Sequence, residues 1–277
     1  MALALVTGTS SGIGLATAVA LARAGHTVVA AMRNLDGGAE IRKIAAAEKL
    51  PIHLAALNVD DDASVREAFA KVVAEHGPID VLVNNAGIPG GGVVEETTID
   101  RFREVMETNF FGALRCAKVV IPSMRERRRG TIINVTSVAG RVSGASHGSY
   151  AASKWALEAV SESLAQELRP FNVRVAIVEP GVIATPIFTK APAPTALPQT
   201  TQGDVRGFAR QAHPALGRRR RNPRHRCKRQ RPIALSRWAR RRALNQGARQ
   251  QDGRAGAEDL TPRTLVRRSY PPASGDT

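Results

Sequence analysis

Cysteine is nearly absent. Cys116 and Cys227 are the only two in 277 residues, too few for the disulfide framework that staples small secreted domains, so a reducing, cytoplasmic setting is expected. No apolar run approaches the ~20 residues that a membrane-spanning helix needs. The opening MALALVTG is apolar but has no basic flank and runs straight into glycines, which predicts a first strand rather than a secretory leader. The six histidines show no metal-ligand spacing, and no metal is expected. No internal repeat is visible.

Acidic side chains are scarce at one end only. Residues 1–203 carry 20 Lys+Arg and 19 Asp+Glu, whereas residues 204–277 carry the other 20 of the chain's 40 basic groups and only 5 of its 24 acidic ones. The net charge of +16 therefore belongs to the tail, where LGRRRRNPRHRCKRQRP, residues 216–232, holds nine basic side chains. A charge total of this kind would ordinarily point to a polyanionic partner. Its confinement to one end separates that question from what the rest of the chain does.

Up to about residue 180, short β-branched runs alternate with helical stretches. The strands read ALALVT, TVVAAM, IHLAAL, DVLVNN, GTIINVTS and VRVAIVEP, and the helical segments cover residues 12–24, 36–49, 61–76, 97–127 and 150–169. Near-continuous apolar strands separated by helices predict a parallel sheet covered on both faces. Right-handed crossovers then give an α/β, Rossmann-type doubly wound sheet in a single domain over residues 1–190. Pro186, Pro192, Pro194 and Pro198 interrupt the pattern, so residues 191–215 are expected to be a loop or linker. Residues 216–277 form an atypical basic tail with no strand-like run, although IALSRWARRRAL, residues 233–244, has the pattern of one amphipathic helix.

The first strand is followed by TGTSSGIG, with Gly8, Gly12 and Gly14 at the mouth of a helix. Glycines there permit a tight turn and let a pyrophosphate approach the helix N-terminus, whose free N–H groups favour an anion. Alone, the pattern is equally that of an unliganded strand-to-helix turn. Tyr150 and Lys154, four apart in YAASK, share one helix face. A phenol ordinarily titrates near ~10, and a neighbouring ammonium favours its phenolate, which makes Tyr150 a candidate general acid or base. A lone pair of this spacing would usually be two solvated side chains.

The other motifs arrive in order: NNAG at Asn84–Gly87, TNFFG at Thr108–Gly112, NVTS ending at Ser137, YAASK, and EPGVIATP at Glu179–Pro186. With TGTSSGIG, this series resembles the short-chain dehydrogenase/reductase superfamily in its roughly 250-residue form, over residues 3 to about 188. The glycine loop, AAMRN and SYAASKWALEAVSESLA are most similar to the hydroxysteroid and retinol dehydrogenase-like branch. The resemblance implies an oxidoreductase that moves a hydride between a nicotinamide and a small-molecule secondary alcohol or ketone, in this branch a lipophilic one.

The same resemblance implies the site. Ser137, 13 residues before Tyr150, would polarise the substrate oxygen, with Thr136 behind it. Lys154 would also bind the nicotinamide ribose, and Asn109 would hold a water linking Lys154 to solvent. The cofactor would lie against Gly8, Ser10, Ser11, Gly12, Ile13, Gly14, Val59, Asn85, Ala86, Gly87, Tyr150, Lys154 and Pro180, with Ile183 and Thr185 on the carboxamide. Asn58 stands where the family usually has an Asp that accepts from the adenine amino group, a bond an amide oxygen can still accept. At the end of the second strand, Met32 and Arg33 replace the acidic residue of NAD-preferring members. A guanidinium suits a 2′-phosphate, so NADP(H) is expected, with NAD(H) the alternative and Arg33 otherwise a surface residue paired with Asp36. His147 is either a substrate contact or a solvated loop residue.

Two further expectations concern assembly. Trp155, Leu157, Val160 and Leu164 cannot all face inward at 3.6 residues per turn, and relatives pair this helix and the Asn109 helix across a homodimer or homotetramer. The tail has three readings: the product of a shifted reading frame in a GC-rich gene, a disordered basic tail, or a folded basic module. A catalytically weak, cofactor-binding scaffold whose basic tail binds nucleic acid or another polyanion is the competing function, but nothing in it would call for an intact Asn109, Ser137, Tyr150 and Lys154 set.

Overall fold

The computed structural model describes residues 1–181 and the backbone of Val266–Arg267. Ile183, Thr185, the 191–215 loop and the basic tail otherwise lie outside the described residues. The strands are β1 Leu3–Thr7, β2 Thr27–Met32, β3 Ile52–Ala56, β4 Val81–Asn84, β5 Gly130–Val135, β6 Val173–Val178 and β7 Val266–Arg267. The helices are α1 Gly12–Arg23, α2 Ala39–Glu48, α3 Asp62–His76, α4 Ile99–Met106, α5 Gly112–Glu126 and α6 Gly148–Leu168.

The sheet runs β3-β2-β1-β4-β5-β6-β7. The first six strands are parallel, and the short β7 lies antiparallel to β6, pairing Val266 with Val178 and Arg267 with Ile177. The sequence gives no sign of β7, because two residues are too few for a period-2 pattern to register.

Alternation along the strands divides the core. Leu3 and Leu5 enter one apolar layer with Phe69 and Val72 of α3, Cys116 and Met124 of α5, and Leu168 of α6. Ala4 and Val6 enter the other, with Ala18 and Val19 of α1 and Ile41 of α2. Side chains on successive strand residues point to opposite faces, so β1, buried at every position, must be apolar throughout. This is the doubly wound α/β architecture expected from the sequence. Among the described residues no helix is long and apolar enough to cross a membrane.

The segment expected to be one helix over 97–127 is instead divided. Thr98 caps α4 by accepting from the Arg101 N–H, and a π-helical turn, Glu107–Phe111, joins α4 to α5. Inside that turn the Gly112 N–H reaches back five residues to the Glu107 carbonyl. Such single π turns often sit at functional sites, and this one carries Asn109.

Candidate active site

The strand order reverses at β1, which lies between β2 and β4. In an open parallel sheet a crevice forms at that point, outside the carboxyl ends of the strands. A cleft of about 890 Å³ lies there, lined by residues that follow each of β1 to β6. The size suits an organic cofactor.

Its first wall is the glycine loop. Gly8 and Gly12 have φ of +70° and +60°, where side chains are disfavoured. At Gly14 space is the constraint, since a Cβ would fall 2.3 Å from the Gly8 carbonyl oxygen and 2.4 Å from Asn85 Nδ2. Asn85 braces the loop by donating from Nδ2 to the Thr7 and Gly8 carbonyls at 2.9 and 3.1 Å. Thr7 Oγ1 returns the bracing by accepting from the Asn85 and Ala86 N–H groups at 3.0 and 2.9 Å. A loop closed to side chains and opening on a helix N-terminus fits a pyrophosphate. Ser10, Ser11, Ile13, Arg33, Val59, Ala86, Gly87 and Pro180 line the same cleft.

Asn58 does not. Leu57, Val59 and Asp60 form the wall at the end of β3, while Asn58 Oδ1 turns back to the Asp60 N–H at 3.4 Å and the Asn58 N–H donates to Ser64 Oγ at 3.0 Å. The amide is used in its own turn before α3. Asp60 Oδ1, at the same wall, is buried and has no hydrogen-bond partner.

At the other end of the cleft, Ser137 follows β5 while Tyr150 and Lys154 stand one turn apart on α6. Ser137 Oγ accepts from the Ala139 N–H at 3.1 Å, which leaves its own proton to donate. Thr136 lies behind, 3% exposed, donating to Glu158 Oε1 at 2.6 Å. Lys154 is 4% exposed and donates from Nζ to the Val135 carbonyl at 2.9 Å. Its Nζ is 5.7 Å from the centre of the Tyr150 ring.

Burial pulls the Lys154 ammonium down to about 8, and the Glu158 carboxylate opposes that fall. Tyr150 departs from expectation. Burial holds the phenol above its ordinary value, and a hydrogen bond with Ser137 pulls the other way. The reason is desolvation of a phenolate in a half-buried position, with the nearby ammonium directed at Val135.

Asn109 is 1% exposed and its amide is fully engaged. Oδ1 accepts from the Ile88 N–H at 2.8 Å, and Nδ2 donates to the Ile88 carbonyl and to Ser153 Oγ, each at 3.1 Å. Ser153, which the motif reading passed over, donates to the Tyr150 carbonyl at 2.7 Å and so ties the Asn109 turn to the Tyr150 turn. His147 lines the cleft with its Nδ1 2.9 Å from the Ala145 carbonyl oxygen. Arg101 and Glu104 of α4 also line it. Their positions follow from the fold and carry no local sequence signature.

Residues 2–195 match the family model described as short chain dehydrogenase. A curated relative, the oxidoreductase YusZ of Bacillus subtilis (strain 168), is 42% identical over 189 residues, covering 68% of this chain and 67% of that protein. Retinol dehydrogenase 8 of Homo sapiens is 43% identical over 186 residues, 65% of this chain and 58% of its own. The chain thus spans roughly three fifths to two thirds of these relatives' length. Among solved structures, a short-chain dehydrogenase from Streptomyces avermitilis matches with a TM-score of 0.68 and 38% identity over 76% of each chain. An actinorhodin polyketide ketoreductase with NADPH matches with a TM-score of 0.65 and 34% identity, over 67% of this chain and 72% of its own. The family model covers residues 2–195 and the fold matches solved members, so the chain belongs to the short-chain dehydrogenase/reductase family, on the side of its hydroxysteroid and retinol dehydrogenase-like members.

Proposed function

We propose that this protein is an NADP(H)-dependent oxidoreductase that interconverts a lipophilic ketone and its secondary alcohol. The observation that carries the reading is the convergence of Ser137, Tyr150 and Lys154 at one end of a cleft whose other end is a glycine loop closed to side chains. When bound, the nicotinamide exchanges hydride with the carbonyl carbon and, in its oxidised form, brings a positive charge beside Tyr150.

Ser137 donates to the substrate oxygen and stabilises the charge that develops there. Tyr150 delivers its proton to that oxygen in reduction and recovers it in oxidation. Burial raises the phenol above its ordinary value, so the protonated form is the resting one. Lys154 holds the ribose and supplies the cation that lowers the cost of phenolate. Asn109 acts through its amide, fixing the Ile88 turn to α6 by way of Ser153. The wall at the end of β3 receives the adenine, and Arg33 pairs with the 2′-phosphate while Ser10 and Ser11 add hydroxyl donors.

The lipophilic substrate follows from the likeness to retinol dehydrogenase 8 and from Val138 and Ala139 on the cleft wall beside Ser137. Assembly as a homodimer or homotetramer is supported by Phe111, Val119 and Trp155, apolar and 42%, 37% and 51% exposed on the Asn109 and Tyr150 helical segments. Leu157 turns inward and is buried. A reducing, cytoplasmic setting accords with two cysteines, of which Cys116 is buried.

The test is a coenzyme-paired assay. Purified protein is offered NADPH or NADH with a panel of hydrophobic ketones, and nucleotide oxidation is followed by absorbance. Faster turnover with NADPH is expected, together with accumulation of the alcohol product. Turnover with NADH alone would remove the phosphate role from Arg33, and no turnover with any ketone would oppose the whole reading.

A further inference from the structure

One buried charge beside the site has no part in the chemistry above. Glu158 is 3% exposed and stands one turn beyond Lys154 on α6. A carboxylate in the interior is costly unless hydrogen-bonded and paired. Its Oε1 accepts from Thr136 Oγ1 at 2.6 Å. Arg141 Nη2 lies 2.7 Å from its Oε2, without an N–H aligned on that oxygen.

Arg141 extends the contact outward. Its Nε donates to Glu179 Oε1 at 2.9 Å, at the end of β6, and its Nη1 approaches Glu162 Oε1 at 3.5 Å on α6. Between Ser137 and Arg141 the backbone presses on the same carboxylate, since a Cβ on Gly140 would sit 3.0 Å from Glu158 Cγ and 3.2 Å from the Lys154 carbonyl oxygen. Residues 136–141, which carry Ser137, are thus tied at both ends to one side chain of the helix that carries Tyr150 and Lys154.

We propose that Glu158 and Arg141 are a positioning pair for the hydride-transfer site: Glu158 is the buried counter-charge of Lys154, and Arg141 is the clamp that keeps that carboxylate ionised and Ser137 in register. The inference rests on the proposed roles of Ser137, Tyr150 and Lys154. Lys154 faces Tyr150 one turn before it, Glu158 one turn after it, and the Val135 carbonyl of β5. Glu158 faces Thr136 from β5, Arg141 from the loop after β5, Glu162 from its own helix and Glu179 from the end of β6. Burial raises Glu158 above the ordinary carboxylate range, with Thr136 and Arg141 opposing the rise and Glu179 and Glu162 adding to it. An arginine is charged at every working pH, so Arg141 favours the ionised carboxylate throughout.

The chain has seven lysines, few enough to follow the Lys154 ammonium by NMR in protein labelled on its lysine side chains, with Lys154→Arg for assignment. Glu158→Gln keeps an acceptor for Thr136 and removes the charge. Lys154 in this variant is expected to titrate lower by on the order of one pH unit, and the basic limb of kcat/KM to move down with it. A Lys154 titration that does not move in folded Glu158→Gln overturns the counter-charge, and so does an activity loss equal at every pH.

Arg141→Lys keeps the cation but loses the planar fork. About tenfold lower kcat with an unchanged cofactor KM is expected, from loosened placement of Ser137. A wild-type kcat overturns the clamp, and this variant decides the matter if Glu158→Gln does not fold. Tyr150→Phe, run in parallel, separates the two levels. If it keeps turnover, the catalytic roles themselves fail; if it is inactive while Glu158→Gln leaves Lys154 unmoved, only the positioning pair fails.

Discussion

On the β1–β3 side, the cleft wall is made mostly of backbone: Gly8, Gly12 and Gly14 present main-chain groups, and the layer behind them is Ala4, Val6, Ala18 and Ala30. On the β4–β6 side the wall rests on buried polar side chains. Asn84 Nδ2 donates to the Ala113 carbonyl and to Asn134 Oδ1, Asn134 Nδ2 donates to Ser161 Oγ, and Ser161 donates to the Leu157 carbonyl, crossing from α5 through two strands to α6. Above that chain run the Asn109–Ser153 and Thr136–Glu158 contacts. One half is specified by the room it leaves, the other by hydrogen bonds and charge. The first should respond to added volume, and the second to pH and to lost donors.

Ser137→Ala offers the largest contrast on the polar side. Removing a donor from the developing charge is expected to cost about 10²–10³ in kcat with little change in cofactor affinity, read by steady-state kinetics and nucleotide fluorescence. Gly14→Ala is the counterpart on the backbone side. Its Cβ has no room beside Gly8 and Asn85, so cofactor binding is expected to weaken by about 10² while catalysis by any residual complex persists. A loss confined to kcat would reverse the assignment of the two halves.

A smaller effect is expected in the pH profile. Lys154, pulled to about 8, loses its proton as pH rises through that value, so reductive kcat/KM should hold below about 8 and decline above it. A decline beginning only near ~10, the ordinary range of lysine, would place Lys154 outside the rate-controlling ionisation. Arg33→Asp should lower the NADPH to NADH preference about tenfold through the lost phosphate pair. Smallest of all, Cys116 is fully buried, and its thiol is pushed up to about 12, so thiol reagents added to folded protein should label it slowly and Cys116→Ala should leave turnover unchanged.

Strand and helix positions were legible because alternating apolar runs and glycine punctuation register locally. β1 to β6 and α1 to α3 fall within the segments expected. The π turn did not register, because TNFFG has the same composition as ordinary helix and only the engagement of Asn109 with Ile88 and Ser153 reveals the altered winding. The motifs brought Ser137, Tyr150, Lys154 and the glycine loop to one cleft, but Asn58, which they also named, turns into the Asp60 N–H and does not line it. That difference depends on which way a turn folds after β3. The raised phenol of Tyr150 was likewise hidden, since a spacing of four shows who is near and not how much water is excluded. Arg141 and Glu158 are 17 positions apart with no shared period, so their pairing needed the fold.

The most direct test compares Tyr150→Phe with the wild type on one ketone that the wild type reduces. NADPH affinity is measured by fluorescence, and product by transfer of deuterium from nicotinamide-labelled NADPH. Wild-type protein should place one deuterium on the carbinol carbon. Tyr150→Phe should bind NADPH within about threefold of wild type, since only a hydroxyl is lost, yet transfer at least about 10² more slowly. Undiminished deuterium transfer by Tyr150→Phe would contradict the account.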